Sequence, residues 1–144
     1  MQQEDFIKRQ IDQLGKVLEK ILADLIGLKT QGQISVGIEA ADQALKNELD
    51  LNVDDLTSIP IEKFIETLQE GNKLSNENFD ILAGILFMLA EEFDNRDTDN
   101  EKKRKLFERS LTIYEHLDKA SLTYSFDRHF KIDKIKRRYK DIAT

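Results

Sequence analysis

Apolar residues near the start of the chain recur at Ile7, Ile11, Leu14, Leu18, Ile21, Leu25 and Leu28, in alternating steps of four and three. Such a series falls on one face only if the backbone is helical, so the spacing predicts a long helix from Asp5 to Lys29. Val17, Leu22 and Ile26 widen the apolar surface in its second half, which predicts contact with more than one neighbouring helix there. A seam of this kind is either the inner face of a packed bundle or a dimerising coiled coil. In the second case Ile7, Ile11, Leu14, Leu18 and Ile21 form the oligomer seam and the chain is a homodimer. Gly15 and Gly27 weaken the helix and predict close approach of a neighbour.

Thr30-Gln31-Gly32 is a short turn, and Ile34, Ile38, Ala41, Leu45 and Leu49 predict a second helix returning antiparallel to the first. Asn52 to Ser58 reads as a turn with a brief helical stretch. Pro60 then opens a shorter helix with Ile61, Phe64, Ile65 and Leu68 inward and Gly71 as its stop. Ser75 caps a fourth helix, with Leu74 and Phe79 placed as a hydrophobic staple. Ile81 to Ala90 is apolar on nearly every side, which places that helix at the centre. Thr98-Asp99-Asn100-Glu101 matches a capping box for a fifth helix carrying Leu106, Phe107, Ser110, Leu111, Tyr114 and Leu117. The last helix, after Ala120-Ser121, points Phe126 and Phe130 one way and Ile132, Ile135 and Tyr139 roughly the other. Either it is clamped between two layers or one of these patches faces solvent. No stretch alternates long enough to predict a sheet.

With 144 residues the chain suits one domain with one core, and 35 % charged residues with a single Pro fit a soluble helical protein. Zero Cys excludes disulfides, thiolate metal sites and cysteine nucleophiles, and fits a reducing compartment. The polar, acidic opening Met1-Gln2-Gln3-Glu4-Asp5 lacks a signal-peptide pattern. The longest apolar run, Ile81 to Ala90, is half of the roughly 20 residues a membrane span needs. These features predict a cytoplasmic protein without membrane insertion. The net charge of −6 conceals a gradient: −3 over residues 1–50, −9 over 51–100 and +6 over 101–144. Such polarity means either a basic segment for nucleic acid or acidic lipid, or a basic helix folded onto acidic neighbours, and the larger acidic excess favours the second.

Motifs for chemistry fail at the positions that matter. The loop from Asp94 to Glu101 alternates oxygen-bearing side chains as a calcium loop does. Counted from Asn95, it has Asn100 where the turn needs Gly and Leu106 where a bidentate Glu is required. His116 and His129 stand outside any Glu-x-x-His or His-Glu-x-x-His arrangement, and His129 is expected to be a hydrogen-bonded, partly buried residue. Glu91 and Glu92 are adjacent on a helix and diverge. The sequence thus predicts no catalytic residues, no metal and no cofactor. Two basic clusters remain: Lys102-Lys103-Arg104-Lys105, opposed by the dipole at a helix start unless Asp97, Asp99 and Glu101 offset it, and Lys136, Arg137, Arg138 and Lys140, favoured by the dipole at a helix end.

Gly84 within Leu82-Ala83-Gly84-Ile85-Leu86, followed by Leu106-Phe107-Glu108-Arg109-Ser110-Leu111, resembles the two helices of a tetratricopeptide-type hairpin over residues 79–117. The whole chain is similar to small bacterial all-helical proteins that resemble tetratricopeptide-repeat folds. The resemblance implies a right-handed helical stack that holds a peptide or another protein. Residues and resemblance together predict an all-α fold of about six helices, in such a stack or an irregular bundle, acting as a non-catalytic interaction module. The partner surface is expected on the last helix, where Lys131, Lys134 and Arg138 form a basic stripe beside Phe126 and Phe130. That pattern suits an acidic peptide or protein helix, or else the stripe pairs with the acidic middle of the same chain and the phenylalanines are core. The alternative function is a small nucleic-acid-associated regulator using the basic C-terminal helices, which the negative net charge disfavours.

Overall fold

A computed structural model describes the backbone of residues 2–72, 74–92, 100–120 and 125–143. Thr98 and Asp99 of the expected capping box, and Asp97, lie outside these residues, as do the side chains of Ile7 and Tyr139. Among the described residues the chain is helical without strands: α1 (Gln2–Thr30), α2 (Ile34–Leu49), α3 (Val53–Ser58), α4 (Phe64–Glu70), α5 (Asn76–Glu92), α6 (Asn100–Ala120) and α7 (Phe126–Ala143). The expected six helices are present, and the brief stretch after Asn52 is long enough to count as a seventh, α3. A 3-10 turn over Ile61–Lys63, opened by Pro60, leads into α4.

Local chemistry explains the breaks. Gly32, at a φ of 73°, makes the turn between α1 and α2. Asp50 ends α2 in the left-handed region at a φ of 59°, a conformation Asp tolerates better than most residues. Asn52 and Asp55 form a reciprocal capping box at the start of α3. The Asn52 N–H donated to it holds the Asp55 carboxyl below the usual carboxylate range. Ser75 Oγ accepts the Asn78 N–H at 3.2 Å and starts α5, with Leu74 and Phe79 both buried beside it.

The centre is α5, whose residues from Leu82 to Phe87 are all buried, together with Leu89 and Ala90. On one side it meets α1. Gly15 lies against Asn78, Leu22 against Gly84, and Lys29 pairs with Glu92 at 2.6 Å, so the two helices run parallel. On the other side Phe79 meets the ring of His116, Ser110 Oγ donates to the Ala83 carbonyl at 2.8 Å, and Phe87 meets Phe107, so α6 runs antiparallel. Gly37 against Leu25 and Leu28 sets α2 antiparallel to α1. Arg128 and Lys131 follow Asp118 and Tyr114 in reverse order, which sets α7 antiparallel to α6. Helices α1, α5 and α7 therefore share one direction, and α2 and α6 take the other. The connection through α3 and α4 is held to α6 by Arg109, a buried residue whose guanidinium donates to the Ile59 carbonyl at 2.8 Å and to Glu108 at 2.9 Å.

The second half of α1 touches both α2 and α5, as its wide apolar surface predicts, although Ile26 is 51 % exposed and takes no part. The two glycines of α1 differ in role. A methyl at Gly15 would meet Asn78 Oδ1 at 2.9 Å, whereas nothing lies within 4 Å of one at Gly27. The close approach expected at Gly27 is therefore absent. Gly27→Ala should stabilise the fold by about 0.5–1 kcal/mol through helix propensity alone. Gly15→Ala should give no gain or a loss, because it displaces the buried Asn78 amide from the Ile11 carbonyl. Urea denaturation of the two variants measures the difference.

Candidate functional site

Helix α7 starts where Ser125 Oγ accepts the Arg128 N–H at 3.2 Å. Its inner face is fixed by Ile132 and Ile135, both buried, and by Arg128, which reaches Asp118 on α6 at 3.3 Å. His129 Nε2 lies at the same distance from Asp118 and is half-buried, in keeping with the role expected of it. About 100° of rotation per residue carries Phe126 and Phe130 to the opposite side. They are 81 % and 62 % exposed. One of the two apolar patches thus faces solvent, and it is the aromatic one.

The basic stripe between these faces is held by groups from three sources. Lys131 lies 3.3 Å from Asp127 on its own helix and 5.8 Å over the Tyr114 ring. Lys134 lies 3.3 Å from Glu91 and 5.4 Å over the Phe87 ring, and Arg138 lies 3.4 Å from the same Glu91 oxygen. The divergence expected of Glu91 and Glu92 is real: Glu92 turns to Lys29 on α1 and Glu91 to α7. Hydrogen bonding to Glu92 holds the Lys29 ammonium above the ordinary lysine range. Beneath the stripe the Tyr114 hydroxyl is buried, with no hydrogen-bond partner among the described residues. Burial, aided by the Asp80 and Asp127 carboxylates, pushes its phenol well up and keeps it neutral.

Phe130, Lys134, Arg137 and Arg138 line an open groove of about 310 Å³. Three of the five residues expected at the partner surface meet there, with Phe126 one turn away, while Lys131 leans toward Tyr114. Arg137 was missed by spacing the basic residues as a stripe, although the helical angle places it between the two phenylalanines. Glu91 was missed because no local pattern links it to residues more than forty positions downstream. The other expected surface divides differently. Leu18 and Ile21 are buried in the chain's own core, Ile11 and Leu14 are half-buried, and the Ile7 side chain lies outside the described residues. In the first basic cluster Lys102 lies 3.0 Å from Asp54 on α3, which the sequence did not suggest, and Lys105 lies 3.7 Å from Glu101, which it did.

Among the described residues no group of three or more His, Asp or Glu is placed to hold a metal ion, and no helix is long and apolar enough to cross a membrane. No known protein family, curated protein or solved structure matches the chain.

This geometry separates a structural part of α7 from a surplus part. Glu91→Gln should lower stability by about 1 kcal/mol, since it weakens two half-exposed ion pairs that join α5 to α7. Phe126→Ser combined with Phe130→Ser should leave the thermal midpoint within about 2 °C of the parent, because exposed positions carry little of the fold. Thermal denaturation followed by circular dichroism reads both.

Proposed function

We propose that this chain is a non-catalytic interaction module of the cytoplasm that holds an acidic peptide or protein helix on the outward face of α7. The observation that carries the reading is the exposure of Phe126 and Phe130, one turn apart, beside a groove with cationic walls. Two large aromatics at adjacent turns on a helix already anchored by Ile132, Ile135 and Arg128 add nothing to the core. They are the residue type that dominates binding energy once a partner excludes water from them. Arg137 adds a positive charge beside them that favours a negative partner, while Lys134 and Arg138 are engaged by Glu91. Among the described residues the other exposed large apolar side chains are Phe6, Ile26 and Val36, on α1 and α2. The alternation of parallel α1, α5 and α7 with α2 and α6 supports the likeness to stacked tetratricopeptide-type hairpins, a fold that suits this task.

The rival, a nucleic-acid-associated regulator, needs Lys102 to Lys105 and Lys136 to Lys140 as one open basic face. Lys102 and Lys105 already pair with carboxylates, which weakens that reading.

Tagged parent and the Phe126→Ser/Phe130→Ser variant, cross-linked in cells and compared quantitatively, test the proposal. A partner held by α7 should fall at least about tenfold with the variant at an unchanged thermal midpoint, in line with aromatic anchors at an interface. Retention of every partner by the folded variant would refute it, and a salt-sensitive shift with random oligonucleotides would favour the rival.

A further inference from the structure

A second groove, of about 310 Å³, runs between α1 and α5 and takes no wall from α7. Its floor is polar where two packed helices ordinarily meet on apolar side chains. Asn78, 2 % exposed, stands on the face of α5 that meets α1, and its Nδ2 donates to the Ile11 carbonyl at 3.3 Å. Its Oδ1 accepts no hydrogen bond from any described residue. A buried amide oxygen is costly to leave without a donor, and a donor lying in the groove removes that cost. Gly15 lies against this oxygen: a Cβ there would come within 2.9 Å of it. Glycine weakens the middle of a helix, so α1 is weakened at the point where a side chain would close over the amide.

Three carboxylates surround this floor. The contacts of Asn78 with Gly15, Gly84 with Leu22 and Glu92 with Lys29 set each α5 residue level with the α1 residue about 63 positions earlier. Glu77 is therefore within about 3 Å of the level of Asp12, at one end of the groove, and Glu19 stands roughly 8–10 Å further along. The interval between them is made by Gly15 and half-buried Ile81. Among the described residues none of the three carboxylates has an ionic or hydrogen-bonding partner. The lining residues set them against one cation, exposed Lys16, for a net charge of −2. The dipole at the start of α5 accounts for Glu77, but neither for Asp12 and Glu19 nor for the open amide below them.

Spacing decides what fits. A metal ion needs ligands that converge to within about 2–2.6 Å of one point, and no group of that kind forms among the described residues. No aromatic ring lines the groove, so it lacks the usual seat of a guanidinium or a quaternary ammonium. A linear aliphatic triamine matches each feature, with an ammonium group at either end, methylenes along its length and an N–H between.

We propose that the α1–α5 groove binds a linear aliphatic polyamine, with one end between Asp12 and Glu77, the other at Glu19, its methylenes over Ile81 and its inner N–H donated to Asn78 Oδ1. The site is independent of the reading of α7.

Calorimetric titration of the full chain with spermidine in about 50 mM salt, where surface charges are only partly screened, tests the site. One spermidine should bind per chain with a Kd below about 1 mM. Glu19→Gln and Glu77→Gln should each weaken binding about tenfold at an unchanged thermal midpoint, because each removes a charge in contact with the ligand. Glu39→Gln/Glu101→Gln removes twice the charge from α2 and the start of α6, outside the groove, and should change affinity less than about twofold. Butylamine, with one ammonium group, should bind at least about tenfold more weakly than spermidine. In nuclear magnetic resonance spectra the Gly15 amide and the Asn78 side-chain amide should shift on saturation, and the amides of α7 should not.

Binding that exceeds one molecule per chain, that needs more than about 1 mM spermidine, that falls equally in Glu39→Gln/Glu101→Gln, or that magnesium abolishes at equal ionic strength would overturn the site and leave only the general attraction of cations to an acidic chain. Saturation that shifts neither Gly15 nor Asn78 would overturn it as well. If a lysine-rich peptide binds through Glu19 and Glu77 and spermidine does not, the groove takes a protein side chain and the polyamine is wrong. Phe126→Ser/Phe130→Ser should bind spermidine as the parent does, so failure of this proposal and failure of the α7 reading are separate results.

Discussion

The rest of the structure depends on enclosing α5. From Leu82 to Phe87 every side chain is buried, so no single neighbour can cover the helix. Burying each large apolar side chain is worth about 1.5–3 kcal/mol, and leaving a flank of α5 in water would forfeit several of these at once. Helix α1 closes one flank and α6 the other. Small side chains permit the approach: Gly84 sits between Leu22 and the Tyr114 hydroxyl, and Ala83 offers its carbonyl to Ser110. Each covering helix then needs cover of its own, which α2 supplies for α1, and α3, α4 and α7 supply for α6.

The end of α5 controls how α7 is presented. Glu91 and Glu92 sit at the negative pole of the helix dipole, an unfavourable place for carboxylates without cations nearby. Lys29 answers Glu92, while Lys134 and Arg138 answer Glu91. That second pairing, with Ile132 and Ile135 in the core, fixes the rotation of α7 about its axis. Once the rotation is fixed, Phe126 and Phe130 face outward. The pairing that the charge gradient suggests is therefore present, and it is also what turns Phe126 and Phe130 outward.

Elements were legible in the sequence wherever periodicity or capping is local. The seam of α1, the Gly32 turn, Pro60 before α4 and the Ser75 cap with its Leu74 and Phe79 staple all depend on residues within a few positions of one another. What was not legible depends on distant residues meeting. The seam Ile11, Leu14, Leu18 and Ile21 fits a dimer or a core equally well until α2 and α5 are placed beside it. Arg109 reads as a surface cation until the Ile59 carbonyl is brought to it. At the candidate site, the outward direction of Phe126 and Phe130 could be read only as one of two options. Glu91, which chooses between them, lies on another helix.

The enclosure of α5 is tested most directly by hydrogen exchange resolved to single amides under native conditions. Amides from Leu82 to Ala90 should exchange only through global unfolding and share its denaturant dependence, because reaching them requires α1 or α6 to leave. Amides of α2 and α7, at the two ends of the array, should open at lower free energy. If α5 exchanged through local opening while α1 or α7 carried the slowest amides, the helix would not be the centre on which the fold depends, and the account would be wrong.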